Sequence, residues 1–484
     1  MTTVLHVIQT LTRGGPSRAL LTAARATAGP KLEHAVASLA PADPWMAREC
    51  QEHGIPVSSA PAEASLDRMM ETADIVQVHF WNSPGLYELL ASDLPAMRLL
   101  VWPHIAGEHP PQVIPPQLLE FADVVLASCD YTAELPGLEQ LEVVPAVAGW
   151  DRLREIHRGR ADRFTIGYIG KLDFGKLRPE FMSLCASIPV PDARFLICGD
   201  GGAMPALRRQ AAEQGIADRV EFRGFVEDIA GALGEMDVFG YPLAEGTYEA
   251  SELVVQEAMY SGVPPVLLGG DAVRRSVAHG RTGLAVRSAP GYAQAVAHLH
   301  DHPEERARMG SAAREHAART WSPQAVAGRW VETYAALMER PKRSRPPYPI
   351  GDRGAVRFVK SLGGTAPHFE ASLGSAEHAF EAERRIAESP MVVAAGGGGV
   401  LYYRDHYPDD PHLRLWSGLV LHGQGRPGLA AGEFAAAIRL GLDHWRVSWY
   451  LARAAEAAGQ SAVMEEALRA VPQPLPPVAE EVLA

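Results

Sequence analysis

Cysteine is scarce in this chain: Cys50, Cys129, Cys185 and Cys198 are the only four. None is in a C-x-x-C pair, which argues against a disulfide framework or a zinc site and predicts buried free thiols in a cytoplasmic setting. No apolar run reaches the roughly 18–20 residues that a membrane-crossing helix requires. The opening residues MTTVLHVIQT lack the basic-then-apolar pattern of a secretory leader. Peripheral association with a membrane surface stays open. Positive charge is also in deficit, with a formal net charge of -13, which argues against a nucleic-acid partner. One stretch runs the other way. Between Arg13 and Lys31 lie Arg18 and Arg25 and no acidic residue. That pattern fits a solvated helix face or a positive helix beside a phosphate-bearing substrate.

At 484 residues the chain is too long for a single core. The first third alternates β-branched runs (VLHVIQTL, HAVASLA, DIVQVHF, RLLVWPHI, DVVLAS) with helical stretches. A second series follows: TIGYIGKL, ARFLICGDG, RVEFRGF, DVFGYPLA, VPPVLL and GLAV. Alternation of this kind predicts parallel sheets with crossover helices. The expected fold is therefore α/β: two doubly wound, Rossmann-like domains facing across a cleft, plus a C-terminal α-helical repeat region. The expected boundaries are 1–150, 151–338, a linker and unassigned segment over 339–411 that begins with the basic, proline-rich RPKRSRPPYP, and a helical tail over 412–484. Within 339–411, AAGGGGV reads as a turn and not a phosphate loop, because it lacks the G-K-[ST] ending. In the tail, Gly425 and Gly459, Gly418 and Ala452, and Phe434 and Leu468 are each 34 residues apart. This tail resembles the tetratricopeptide repeat over about two units.

The strongest chemical signal is AEGTYEASELVVQEAMYSGVPPV, where seven residues separate Glu249 from Glu257. Ser251 is expected to cap a helix running from Glu252 to about Tyr260. The N–H groups of Glu252, Leu253 and Val254 would then form an anion-binding helix start. That layout suits a nucleotide sugar. The diphosphate would rest on the helix start, Glu257 would accept from ribose hydroxyls, and Glu249 would hold sugar hydroxyls. On spacing alone, an amphipathic helix with two incidental glutamates is the simpler reading.

The surrounding residues change that balance. ICGDG, RVEFRGFVEDI, DVFGYP, EAMYSGVPPV and VAHGRTGLAV together resemble the nucleotide-sugar half of the retaining family 4 glycosyltransferases of the GT-B fold. The resemblance implies several roles. Gly170, Lys171 and Lys176 of GYIGKLDFGK would meet the pyrophosphate, the two lysines offsetting leaving-group charge. Lys171 stands where arginine is commoner, and Leu177 where a glycine usually follows. Gly199 of ICGDG belongs to the same donor loop set. In TRGGPSRALL, Gly14 and Gly15 would let backbone approach the donor phosphates and the acceptor. His104 of LLVWPHIAGEH fits the histidine near the donor sugar's hydroxymethyl group better than His79 does; His109 is a weaker candidate. Asp123 and Ser128 fit a pattern that is mostly structural. Glu249, His104, Lys171 and Lys176 are thus the expected catalytic residues.

The resemblance further implies front-side transfer with retention and no cofactor or metal, the nucleotide diphosphate sugar being a co-substrate. The nucleotide half contains no D-x-D cation-binding pattern. The acceptor is left open among small molecules, glycans, lipid-linked sugars and proteins. A partner protein or self-association through the tail is likewise open. The rival readings are a non-catalytic scaffold of the same fold and a sugar-nucleotide 2-epimerase.

Overall fold

The computed structural model describes residues 1–153, 163–374, 376–389 and 397–474. The last ten positions of the expected tail, and residues 394–396 of the AAGGGGV segment, lie outside the described residues. The chain divides into two compact units: Met1–Phe80, Pro95–Glu108 and Ala122–Arg345 form the first, and Trp81–Leu94, His109–Phe121 and Pro346–Ala484 the second.

The first unit holds two parallel sheets. One contains β1 (Thr2–Ile8), β2 (Leu32–Ser38), β3 (Val57–Ser59), β4 (Ile75–Phe80), β5 (Leu99–Pro103), β6 (Val124–Ala127) and β7 (Glu142–Val143), in the order β3-β2-β1-β4-β5-β6-β7. The other contains β8 (Thr165–Ile169), β9 (Arg194–Cys198), β10 (Val220–Gly224), β11 (Val238–Pro242), β12 (Pro265–Leu268) and β13 (Leu284–Val286), in the order β10-β9-β8-β11-β12-β13. In each, the strand order reverses beside the first strand, leaving a crevice at the carboxyl ends where ligands bind in open α/β sheets. Every residue of β4, β5, β8 and β11 is buried, the pattern of strands covered on both faces. The two-residue β7 is all that forms of the strand expected in LEVVPAVAGWD, since Pro145 cannot donate to a ladder.

Links between the sheets are specific. Gln256 accepts from Ala148 N (3.1 Å) and donates to Ala146 O (2.9 Å). The helix Pro323–Met338 packs on the helix Gly15–Thr27 and on β4, with Trp330 against Trp102 and Tyr334 donating to Gln77 (2.7 Å). Three of the cysteines are buried and all four are free thiols.

The second unit is helical. Among the described residues of 339–411, expected as linker and unassigned, lie the helices Gly354–Ser361, Pro367–Ser372, Ala376–Ala387 and Val400–His406. Phe358, Phe369, Tyr403 and Trp416 make their core. Two of these helices, Gly354–Ser361 and Ala376–Ala387, carry an apolar face that the sequence reading missed. Four further helices begin at Pro411, Pro427, Trp445 and Ser461, so each pair repeats after 34 residues. Gly418 is needed for close packing, since a Cβ there would lie 2.6 Å or less from the Phe434 ring. A buried ion pair joins Arg446 to Glu383 at 3.1 Å, and Tyr450 donates to the same carboxylate at 2.7 Å. Asn82 of the first third belongs to this unit: it donates to Ser361 (2.9 Å) and accepts from Tyr403 (2.7 Å). Among the described residues, no helix is long and apolar enough to cross a membrane.

Candidate active site

The carboxyl ends of both sheets open into one cleft of about 520 Å³. From the first sheet come Gly14 and Gly15 after β1, His104 after β5 and Ser128 after β6. The second contributes Gly170 and Lys171 after β8, Gly199 after β9, Lys176, and the start of the helix Leu253–Tyr260. Of the residues expected to act in catalysis or donor binding (Gly14, Gly15, His104, Gly170, Lys171, Lys176, Gly199, Glu249, Ser251, Glu252, Leu253 and Glu257), all but Glu249 line the cleft; the weaker candidates His79 and His109 do not.

Ser251 is not the helix cap. Glu252 occupies that position with no side-chain capping bond, while the Ser251 hydroxyl donates across the cleft to Ser128 O. That bond turns the Ser251 hydroxyl away from the N–H groups of the first helical turn. Leu253, Val254 and Glu252 still line the cleft, so the dipole of an eight-residue helix ends there.

Lys176 is half-buried and already paired. Its Nζ lies 2.8 Å from Glu252 Oε2, which also accepts from Tyr241 OH at 2.6 Å. Burial alone would lower the ammonium's pKa, but the Glu252 carboxylate and the surrounding tyrosines hold it well above its ordinary value. The side chain of Glu252 was not foreseen: as a helix-start residue it drew attention only for its N–H. Lys171 is more open, with Asp173 at 3.5 Å. Glu257 is buried and meets Arg152.

Glu249 is 3% exposed. Its Oε1 accepts from Gly270 N at 3.1 Å, and its Oε2 is buried with no hydrogen-bond partner among the described residues. Burial pushes this carboxyl up to about 7, with the neighbouring Glu252 adding to the rise.

Glycine is required at Gly199. Its φ is +135°, and a Cβ would stand 1.8 Å from Gly170 O, so the two donor loops touch backbone to backbone. At Gly15, by contrast, a Cβ would make only an ordinary 3.9 Å contact. Nothing in the protein itself excludes a side chain there.

Three arginines add positive charge on the other wall. Arg13 pairs with Asp43 (3.2 Å) and lies over Trp45 and Phe225. Arg18 donates to Arg13 O (3.1 Å) and has no carboxylate within 4.0 Å among the described residues. Burial and then the neighbouring Arg152 bring its guanidinium down to about 10. The unbroken positive stretch in the sequence contained Arg13 and Arg18; no local signal marked Arg152.

His104 ends a row of histidines that runs through the first sheet. His104 Nε2 is 2.9 Å from His79 Nδ1, His79 Nε2 is 3.0 Å from His6 Nδ1, and His6 Nε2 is 2.9 Å from His34 Nδ1. His34 Nε2 then lies 2.9 Å from Thr27 Oγ1, whose hydroxyl is 2.8 Å from Ala23 O. Burial holds all four imidazoles below their ordinary value, His34 to about 4 and His104 to about 3. His79 and His104, weighed as competitors, are thus neighbours in one chain. A histidine in each of the strands β1, β2 and β4 was the available signal.

Residues 163–302 match the family model for group 1 glycosyl transferases. The crystal structure of HepE from Anabaena in complex with UDP and glucose superposes with a TM-score of 0.59 at 19% identity, over 69% of this chain and 100% of that one. Sucrose-phosphate synthase from Thermosynechococcus elongatus superposes at 0.55 with 16% identity, over 70% and 100% respectively. The fold is GT-B. A GDP-mannose-dependent alpha-(1-6)-phosphatidylinositol monomannoside mannosyltransferase of Mycobacterium tuberculosis is 30% identical over 216 residues, 43% of this GT-B chain. The chain spans about half of that relative's length, 55%.

Proposed function

We propose that this chain is a glycosyltransferase that moves a sugar from a nucleotide diphosphate donor to an acceptor hydroxyl, with retention at the anomeric carbon and without a metal. The observation that carries the proposal is the cleft: Lys171, Lys176 and the start of the helix Leu253–Tyr260 converge on it from one sheet, Gly14 and Gly15 from the other. The diphosphate lies on the helix start and Lys171, and draws Lys176 away from Glu252. Glu257 receives the ribose hydroxyls in place of Arg152. His104 faces the sugar, and the orphaned Oε2 of Glu249 takes a sugar hydroxyl once the Glu249 loop turns toward the cleft. The bond from the anomeric carbon to the diphosphate oxygen breaks, and that oxygen takes the proton of the attacking hydroxyl on the same face. Lys171, Lys176 and the helix dipole stabilise the charge that develops there.

Arg18, with no carboxylate within 4.0 Å among the described residues, and Arg13 favour an acceptor that carries an anionic group. The mannosyltransferase relative, whose acceptor is a phosphatidylinositol monomannoside, is consistent with that chemistry. In the second unit the 34-residue spacing of helix starts and the Gly418–Phe434 contact support a tetratricopeptide-like pair that engages a partner protein or a second copy.

Thermal-shift titration with UDP, GDP, ADP and their sugar conjugates, with and without EDTA, tests the reading. One nucleotide should raise the midpoint equally in both conditions, and its sugar conjugate should be consumed when acceptor is supplied. A flat response to all would reject the donor site. Loss of the shift with EDTA would reject metal independence.

A further inference from the structure

The histidine row is built with a polarity that can be read from its far end. Thr27 Oγ1 and Ala23 O are 2.8 Å apart, and two oxygens hold that distance only with a proton between them. A carbonyl cannot donate, so the Thr27 hydroxyl donates to Ala23 O. Its lone pair must then accept from His34, which puts the single proton of that neutral ring on Nε2. His34 Nδ1 is left as an acceptor, so His6 donates through Nε2. The same step repeats at His79 and again at His104. Each ring has one proton to give, and the hydroxyl at the end decides which way all four face.

We infer that Thr27, His34, His6 and His79 are positioning residues that lock His104 in its Nε2–H form and so present an unprotonated Nδ1 to the donor sugar. Among the described residues that Nδ1 has no hydrogen-bond partner, and His104 lines the cleft. The group it meets must therefore donate. A sugar hydroxyl or amine qualifies, whereas a carboxylate or phosphate oxygen does not. At this contact the site selects a neutral hexose or amino sugar and rejects a uronic acid. Burial reinforces the arrangement, because a proton added at any ring would be charged in an apolar sheet interior. A row of four aliphatic side chains would pack as well but would leave the His104 ring free to turn over and offer either nitrogen.

The consequence for specificity rests on the donor-site reading above, but the tautomer does not, and two measurements keep them apart. Nitrogen-15 NMR of histidine-labelled full-length protein without ligand should give four buried rings with a pyrrole-type Nε2 and a pyridine-type Nδ1, unchanged down to pH 5.5. A Nδ1-protonated or cationic His104 would overturn the inference whatever the protein binds. Calorimetry then compares Thr27→Val with Thr27→Ser. With valine, the nucleotide diphosphate that gives a thermal shift should bind as to the parent protein, while its hexose conjugate loses about five- to tenfold in affinity, the scale of one hydrogen bond. The serine variant, which keeps the hydroxyl, should restore it. Equal hexose affinity in parent and valine variant, with His104 still Nε2-protonated in both, would refute the role of Thr27. If no nucleotide binds at all, the donor-site reading fails and the NMR result alone decides the tautomer.

Discussion

Glu249 offers the sharpest test of the site's electrostatics. Glu249→Gln keeps an oxygen for Gly270 N and leaves the second terminal atom buried, so it imitates the neutral acid in size and bonding. A carboxyl whose value rises from 4.5 to about 7 on folding binds more protons in the native state than in the unfolded one. Native stability therefore falls as pH climbs from about 4.5 to about 7 and levels off beyond. At 1.36 kcal/mol per pH unit the full penalty is about 3 kcal/mol. The glutamine variant escapes it. It should exceed the parent by about 1 kcal/mol at pH 5 and about 3 kcal/mol at pH 8.5, a difference in melting midpoint that widens by several degrees between those conditions. Intrinsic-fluorescence melts of both proteins from pH 5 to 9 provide the measurement. A gap that stays constant across the range, or a parent that is the more stable at pH 8.5, would show that burial does not dominate at Glu249.

Glu252→Gln removes the carboxylate that competes with a diphosphate for Lys176, and nucleoside diphosphate affinity should rise about three- to tenfold by calorimetry at low salt; weaker binding would mean that the ion pair holds the lysine in place. Gly199→Ala forces apart the contact with Gly170 O and should cost about 2–4 kcal/mol together with nucleotide binding, read by denaturant melts and titration; a parent-like variant would refute the backbone contact. In the helical unit, Glu383→Ala leaves the Arg446 guanidinium buried without its partner and should cost about 3–5 kcal/mol, visible as an earlier loss of helical circular dichroism. A neutral effect there would mean that water reaches Arg446.

Both sheets could be read from the sequence because their strands are near-continuous apolar runs set between helical periods. β3 leaves no such trace because two of its three residues are serine; the equally short β13 is apolar throughout and was expected. The cleft glycines and lysines were expected through the resemblance of the surrounding motifs, and the helix start from its own sequence; the structure brings these residues to one cleft. Other features depend on partners far along the chain. The Ser251 hydroxyl turns to a carbonyl 123 residues away, and Arg152 meets Glu257 across 105 residues. No local rule about caps or charge spacing anticipates such contacts. The histidine row is the intermediate case: its members sit in visible strands, but their alignment depends on strand order, which the sequence does not display. The row also shows why a histidine chosen for one role can be inseparable from three that have none of their own.

The membership of Asn82, Tyr87 and Phe121 in the helical unit bears on how the chain is made. These residues leave the ribosome long before Pro346, which is 225 positions after Phe121 (346 minus 121). At about 5–20 residues per second, the wait is roughly 10–45 s. Through that interval Tyr87 and Phe121 lack Tyr348, against which both rings pack in the helical unit. A chain stopped short of residue 346 would keep those two rings without that partner. In order of synthesis, the residues from Pro346 onward are the last part of that unit to arrive.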